Sequence, residues 1–129
     1  ALYKAFGKSE KICVLGNTGG GRDRWKRSEM GGIADAHCKR IILTNEDPYD
    51  EDPNQIMSQV AEGATDFKSK GVKIINRKEA ISKAISKAKG GDIVVITGKG
   101  SEQYIRVAKG KKIPWSDKKV ALEAVRKRK

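Results

Sequence analysis

Three stretches of this chain group side chains able to hold a charged ligand. The first, Gly16-Asn17-Thr18-Gly19-Gly20-Gly21-Arg22-Asp23-Arg24-Trp25-Lys26-Arg27, directly follows the apolar run Lys11-Ile12-Cys13-Val14-Leu15. Its glycines allow a sharp turn and a close approach of backbone N–H groups to an anion, ahead of a helix whose N-terminus favours negative charge. Arg22 adds a planar fork suited to carboxylate or phosphate. The second stretch, Asn45-Glu46-Asp47-Pro48-Tyr49-Asp50-Glu51-Asp52, concentrates carboxylates; the third, Gly98-Lys99-Gly100-Ser101-Glu102, sets one lysine and one glutamate among glycines.

Two known phosphate loops can be tested against the first stretch, and neither fits. Gly16 and Gly21 have the spacing of a Walker A loop, but Arg22-Asp23 stands where Lys-Ser/Thr should follow. Thr18 breaks the Gly-x-Gly-x-x-Gly dinucleotide fingerprint. Taken alone, the loop is either a ligand cradle or a tight turn. The same choice applies elsewhere: Asp47-Pro48-Tyr49 also reads as a turn, Lys99 as a solvated lysine, and Trp25 and Trp115 as packing residues or exposed anchors.

The elements that must position these loops follow from hydrophobic periodicity. Apolar runs of strand length alternate with stretches of helical period, which predicts an α/β domain. The expected architecture is three-layered and Rossmann-like: a mostly parallel sheet of about six strands with a C-terminal antiparallel hairpin, and helices on both faces. Ala1 to Phe6 reads as the end of a helix and 11–16 as a strand. A helix over 26–38 follows, with Met30, Ile33 and Ala34 on its apolar side. A second strand covers 40–44, and Pro53 opens a helix carrying Ile56, Met57, Val60 and Ala61. Val72 to Ile75 is the third strand, Arg77 to Lys89 an amphipathic helix, and Asp92 to Thr97 a buried strand. A hairpin of 104–107 and 111–113 turns at Lys109-Gly110, before a last helix capped by Ser116.

In this layout the loops 16–27, 45–52 and 98–102 all follow strands, so they share the carboxyl edge of the sheet, where open α/β sheets bind ligands. Arg22 and Lys99 then meet Asp47, Asp50 and Glu102. A pocket of both signs suits a zwitterion such as an amino acid better than DNA.

Composition bounds the alternatives. The 129 residues make one ordinary domain, and 28 Lys+Arg against 16 Asp+Glu leave a formal net charge of +12. The basic residues are scattered, apart from Arg126-Lys127-Arg128-Lys129, and aromatics for base stacking are few. A solvated basic surface is therefore favoured over a nucleic-acid-binding module, the alternative from a different class. Cys13 and Cys38 lack metal or redox spacing and read as buried thiols. His37 adjoins Cys38, but neighbours on a helix point apart, so a shared metal is not expected. With no signal peptide or membrane-spanning apolar run, the expected location is cytoplasmic, without membrane attachment.

Four motifs, in order, resemble the C-terminal domain of Mur ligases, most closely that of the UDP-N-acetylmuramoyl-tripeptide synthetases, or MurE branch. Gly20-Gly21-Arg22-Asp23-Arg24-Trp25-Lys26-Arg27-Ser28-Glu29-Met30-Gly31 follows the family's Gly-Gly-Asp-Arg-Asp-x-x-Lys-Arg-x-x-Met-Gly, one residue shorter before the arginine. Glu46-Asp47-Pro48-Tyr49 corresponds to Asp-Asn-Pro-Arg, and Glu51-Asp52-Pro53 to Glu-Asp-Pro. Gly98-Lys99-Gly100-Ser101-Glu102 corresponds to Gly-Lys-Gly-His-Glu, and Trp115-Ser116-Asp117-Lys118-Lys119-Val120-Ala121 to the family's Phe/Tyr-x-Asp-x-x-x-Ala tail.

The resemblance implies part of an ATP-dependent amide ligase of peptidoglycan synthesis. In such enzymes the dipeptide carboxylate of a UDP-muramoyl substrate is phosphorylated and then attacked by an amino acid. It further implies that residues 1–129 are the amino-acid-presenting domain, excised after the family's Tyr-Ala-His-Thr-Pro-Asp motif. The N-terminal UDP-sugar domain and the central domain that binds ATP and Mg2+ are then its missing partners, and no cofactor, metal or catalytic residue is expected in this domain alone. Another ligase of the superfamily, such as cyanophycin synthetase, is the nearest alternative.

Residue by residue, Arg22 matches the arginine on the amino acid's carboxylate, a contact worth about 1.5–3 kcal/mol. Gly98 and Glu102 match two further contacts to the amino acid, the glutamate facing an ammonium. Arg24, Lys26 and Lys99 are candidates for ATP or phosphate contacts. Asp47 replaces the motif's asparagine, and Tyr49 its arginine, the residue that recognises the distal carboxylate of meso-diaminopimelate. The acidic loop around Asp47 then favours L-lysine or a similar diamino acid over diaminopimelate. Ser101 in place of histidine alters one local contact.

Overall fold

The computed structural model of the protein describes residues 10–16, 25–97, 104–106 and 108–127. The expected helix over Ala1 to Phe6 lies outside them. The strand Lys11–Leu15 (β1) is buried along its whole length, as a strand covered on both faces must be. Its side chains alternate between two cores, Cys13 and Leu15 in one and Ile12 and Val14 in the other.

Arg40–Leu43 (β2), Gly71–Lys73 (β3) and Ile93–Ile96 (β4) join β1 in a parallel sheet of order β3-β2-β1-β4. Cys13 pairs with Ile41 on one side and Val95 on the other. β3 begins one residue before the expected strand and ends two earlier. A short helix, Phe67–Lys70 (α3), runs straight into it, and the Phe67 ring occupies the space where a side chain on Gly71 would stand. All six expected strands are present, but Tyr104–Arg106 (β5) and Lys112–Pro114 (β6) form their own antiparallel pair. The connection between them, residues 107–111, carries Lys109 at φ 62° and Gly110 at φ 70°, so the chain turns at the expected pair but through a longer loop than a two-residue hairpin.

Two helices cover one face. Trp25–His37 (α1) and Pro53–Glu62 (α2) contribute Ala34, Met57 and Val60 to the core with Cys13, Leu15, Ile41, Leu43 and Val95. They cross so closely that a Cβ on Gly63 would overlap the Ser28 carbonyl. Arg77–Lys87 (α4) and Asp117–Lys127 (α5) cover the other face with Ala80, Ile81, Ala84, Ile85 and Ala124. The starts expected at Pro53 and Ser116 are present, and Asp52 adds a cap that the sequence reading does not name. Pro53 opens α2, preceded by Asp52, which accepts from Asn54 N at 2.9 Å, and Ser116 Oγ accepts from Lys119 N at 3.2 Å.

Two expectations need correction. Ile33, assigned to the apolar side of its helix, is 47% exposed. Cys13 and Cys38 are buried but are not thiols: they form a disulfide with their Cα atoms 6.2 Å apart. The end of α1 returns over β1 and brings the two within bonding range, a proximity that a separation of 25 residues does not reveal.

Candidate functional site

The parallel register places the carboxyl ends of all four strands, and hence the roots of the three loops, on one edge. Thr44 N donates to Leu15 O at 2.9 Å, and Thr97 N to Val14 O at 3.0 Å, so the chain leaves β2 and β4 still bonded to β1. A Cβ on Gly16 would stand 2.9 Å from Glu46 Cβ and 3.3 Å from Thr44 O. Glycine at this position therefore lets the first loop start against the second.

A cleft of about 390 Å³ opens at this edge between α1 and the ends of β1 and β4. Leu15, Met30, Ile33 and Thr97 line it, with Trp25, Lys26 and Glu29 at its polar side. The exposure of Ile33 thus has a structural sense, since it walls this cleft rather than the core. Lys26 lies 5.4 Å from the centroid of the Trp25 ring, itself 66% exposed. Trp25 is therefore an exposed anchor rather than a packing residue.

Of the site residues expected from sequence, Arg22, Arg24, Gly98, Lys99, Ser101 and Glu102 lie outside the described residues. Gly16 and Thr97, the last described residues before these two segments, stand at the shared edge. Lys26 is in the cleft wall. Asp47 is 7% exposed, and Tyr49, with φ 54°, projects from the loop after β2 at 37% exposure. The cleft's described lining does not include these two.

The carboxylates of the 45–52 loop are strongly engaged within the protein. Asp50 Oδ1 accepts from Lys109 N at 2.9 Å, tying the loop to the hairpin turn. Asp52 caps α2, and Glu51 takes the fully buried Arg27 in a two-point contact, Nη1 to Oε2 at 2.6 Å and Nη2 to Oε1 at 3.0 Å. Arg27 Nη1 also donates to Gln59 Oε1 on α2 at 2.6 Å. This cluster fixes the root of α1 and the far end of the loop as one piece.

A second buried arginine lies on the opposite face. Arg77, the first residue of α4, pairs with Asp117, the first residue of α5, and also reaches two loop carbonyls. Neither arginine was singled out from sequence. The signal was present for Arg77: a cation in the first turn of a helix opposes the dipole and calls for a compensating carboxylate.

Among the described residues, no three His, Cys, Asp or Glu side chains gather into a set that could hold a metal ion, and no helix is long and apolar enough to cross a membrane.

Comparison with known proteins accords with this architecture. The family model described as "Mur ligase, glutamate ligase domain" matches residues 1–100. The chain is 41% identical over 124 residues to a UDP-N-acetylmuramoyl-L-alanyl-D-glutamate--2,6-diaminopimelate ligase of Syntrophomonas wolfei, covering 95% of this chain and 25% of that protein. It is 42% identical over 120 residues to the protein of the same name from Aquifex aeolicus, covering 93% of this chain and 24% of that one. A solved structure of a ligase of this name superposes with a TM-score of 0.85 at 32% identity, over 98% of this chain and 27% of the other. The chain spans about a quarter of the length of these relatives. Parallel sheet, flanking helix pairs and matched motifs together make the conclusion plain: the chain belongs to the Mur ligase C-terminal domain family, with relatives named as MurE ligases.

Proposed function

We propose that this chain is the amino-acid-presenting domain of an ATP-dependent ligase that adds a diamino acid to UDP-N-acetylmuramoyl-L-alanyl-D-glutamate. The observation that carries the reading is the common edge at which the roots of the 16–27, 45–52 and 98–102 loops meet, beside a cleft walled by Lys26 and Thr97. In this reading Arg22 holds the amino acid's carboxylate, and Gly98 and Glu102 make two further contacts to it, the glutamate facing an ammonium. Arg24, Lys26 and Lys99 face phosphate. The UDP-sugar and ATP-binding parts of the enzyme, with magnesium, belong to two further domains, so the 129 residues alone do not ligate. Such a reaction on UDP-linked precursors is cytoplasmic.

The finer reading is L-lysine or a similar diamino acid rather than meso-diaminopimelate. It rests on Tyr49, which stands where the motif has its arginine and offers a second carboxylate no cation. The relatives' names favour diaminopimelate instead. So does the internal engagement of Asp50, Glu51 and Asp52, which leaves less of the loop's negative charge for a ligand ammonium. Steady-state ligation by the full-length enzyme with lysine, ornithine and meso-diaminopimelate separates the two. A higher kcat/KM for diaminopimelate overturns the lysine reading, and ligation by the isolated chain overturns the division of labour between domains.

A further inference from the structure

Arg77 has more partners than an ion pair needs. Its side chain is 1% exposed and Asp117's 8%. Nε donates to Asp117 Oδ1 at 2.8 Å and Nη2 to Oδ2 at 2.9 Å. That pair balances the charge and staples α4 to α5. The remaining donors reach further: Nη1 to the Asn45 carbonyl at 3.0 Å, and Nη2 to the Thr97 carbonyl at 2.8 Å. Trp115 Nε1 braces the carboxylate, donating to Asp117 Oδ1 at 2.6 Å.

Asn45 begins the loop that bears Asp47 and Tyr49, and Thr97 directly precedes Gly98. The strands that carry them, β2 and β4, are not neighbours; β1 lies between them. Two strand spacings, roughly 9–10 Å, therefore separate the two loop roots, and no direct ladder joins them. One planar guanidinium spans the gap. A lysine in the same place is a single flexible point charge and cannot hold both carbonyls and both carboxylate oxygens at once.

We propose that Arg77 is a positioning residue for amino acid binding, holding the root of the 45–52 loop at Asn45 and the end of β4 at Thr97 at one mutual spacing. The proposal rests on the ligase reading above. A small zwitterion contacted from both segments loses affinity when their spacing relaxes. Nucleotide and UDP-sugar, held mainly by the other two domains, lose little. Asp117 and Trp115 act through Arg77 by fixing its plane.

The test is steady-state kinetics of the full-length enzyme, with KM measured separately for amino acid, ATP and UDP-muramoyl-dipeptide, alongside the melting temperature. Arg77→Lys is expected to raise the amino acid KM about tenfold or more, leaving the other two within about twofold and kcat within about threefold, the pattern of lost substrate binding. Asp117→Asn and Trp115→Phe, which keep the arginine, are expected to give smaller shifts of the same kind, and they carry the test where Arg77→Lys does not fold. A fall in kcat that tracks lost folded protein, with all three KM values unchanged, makes the role merely structural and overturns the proposal. Equal rises in all three KM values overturn it too. Absence of amino acid ligation by the wild-type enzyme overturns the functional reading itself, and this proposal with it.

Discussion

Among the described residues, each face of the sheet buries one arginine, and the two are used differently. Arg27 reaches side chains, Glu51 and Gln59, and so fastens α1 and the 45–52 loop to α2. Arg77 reaches a carboxylate and two backbone carbonyls, and so fastens strand ends to one another. A side-chain partner can swing toward water when its cation is lost, whereas a backbone carbonyl at a strand end cannot. The α1 face has in addition the Cys13–Cys38 bond, while the α4 face depends on packing and Arg77. The same residue type therefore acts as a peg on one side and as a spacer on the other.

The largest expected effect breaks the spacer. Arg77→Met takes the two-point guanidinium contact from the buried Asp117 carboxylate and should cost about 3–5 kcal/mol in urea unfolding. A loss below about 1 kcal/mol would show that the α4 face does not depend on this ion. Next comes the covalent tie on the α1 face. Reducing the disulfide releases a closed loop of 25 residues and should cost about 3.5 kcal/mol, read as the difference in unfolding free energy between oxidised and reduced chain. Unchanged stability on reduction would remove the covalent side of the comparison.

Arg27→Met should be milder than Arg77→Met, at about 2 kcal/mol, because it strips side-chain partners, Glu51 and Gln59, which can rearrange, rather than backbone carbonyls at strand ends, which cannot. Equal losses for the two arginines, measured in the same denaturant series, would erase the distinction between peg and spacer. The smallest pair compares caps. Asp52→Ala on α2 and Asn76→Ala on α4 each remove one side-chain acceptor, for Asn54 N and Glu79 N, and each should cost about 1 kcal/mol. A much larger loss for Asn76→Ala would mean that the start of α4 is disturbed far enough to release Arg77, its next residue.

Much of the fold was legible from short-range signals. The apolar runs at 11–15, 41–43 and 93–96 are too short and too β-branched for helices, and the Pro53 and Ser116 starts follow from backbone chemistry alone. Lys109-Gly110 turns where a positive φ is required. Errors arose where a residue's environment comes from distant chain. Ile33 has helical spacing for the core, yet it faces the cleft formed with the ends of β1 and β4. β3 starts at Gly71, which pairs with Ile41 and leaves room for the Phe67 ring where a side chain would stand. Of the site residues, Lys26, Asp47 and Tyr49 can be placed, and Asp47 is buried where a loop acid was expected to face a ligand.

The sequence by itself determined the strand order, the four longer helices, the Pro53 and Ser116 starts, the hairpin turn and the family, because each depends on residues within a few positions of one another or on motifs read in order; the short helix Phe67–Lys70 it did not reveal. Tertiary structure alone decided the Cys13–Cys38 bond, the Arg27–Glu51 and Arg77–Asp117 pairs, and the joining of Asn45 to Thr97 through one guanidinium. Those partners lie 20 to 40 residues apart in the chain, and a buried cation's choice of partner is set by which groups the folded sheet brings within about 3 Å.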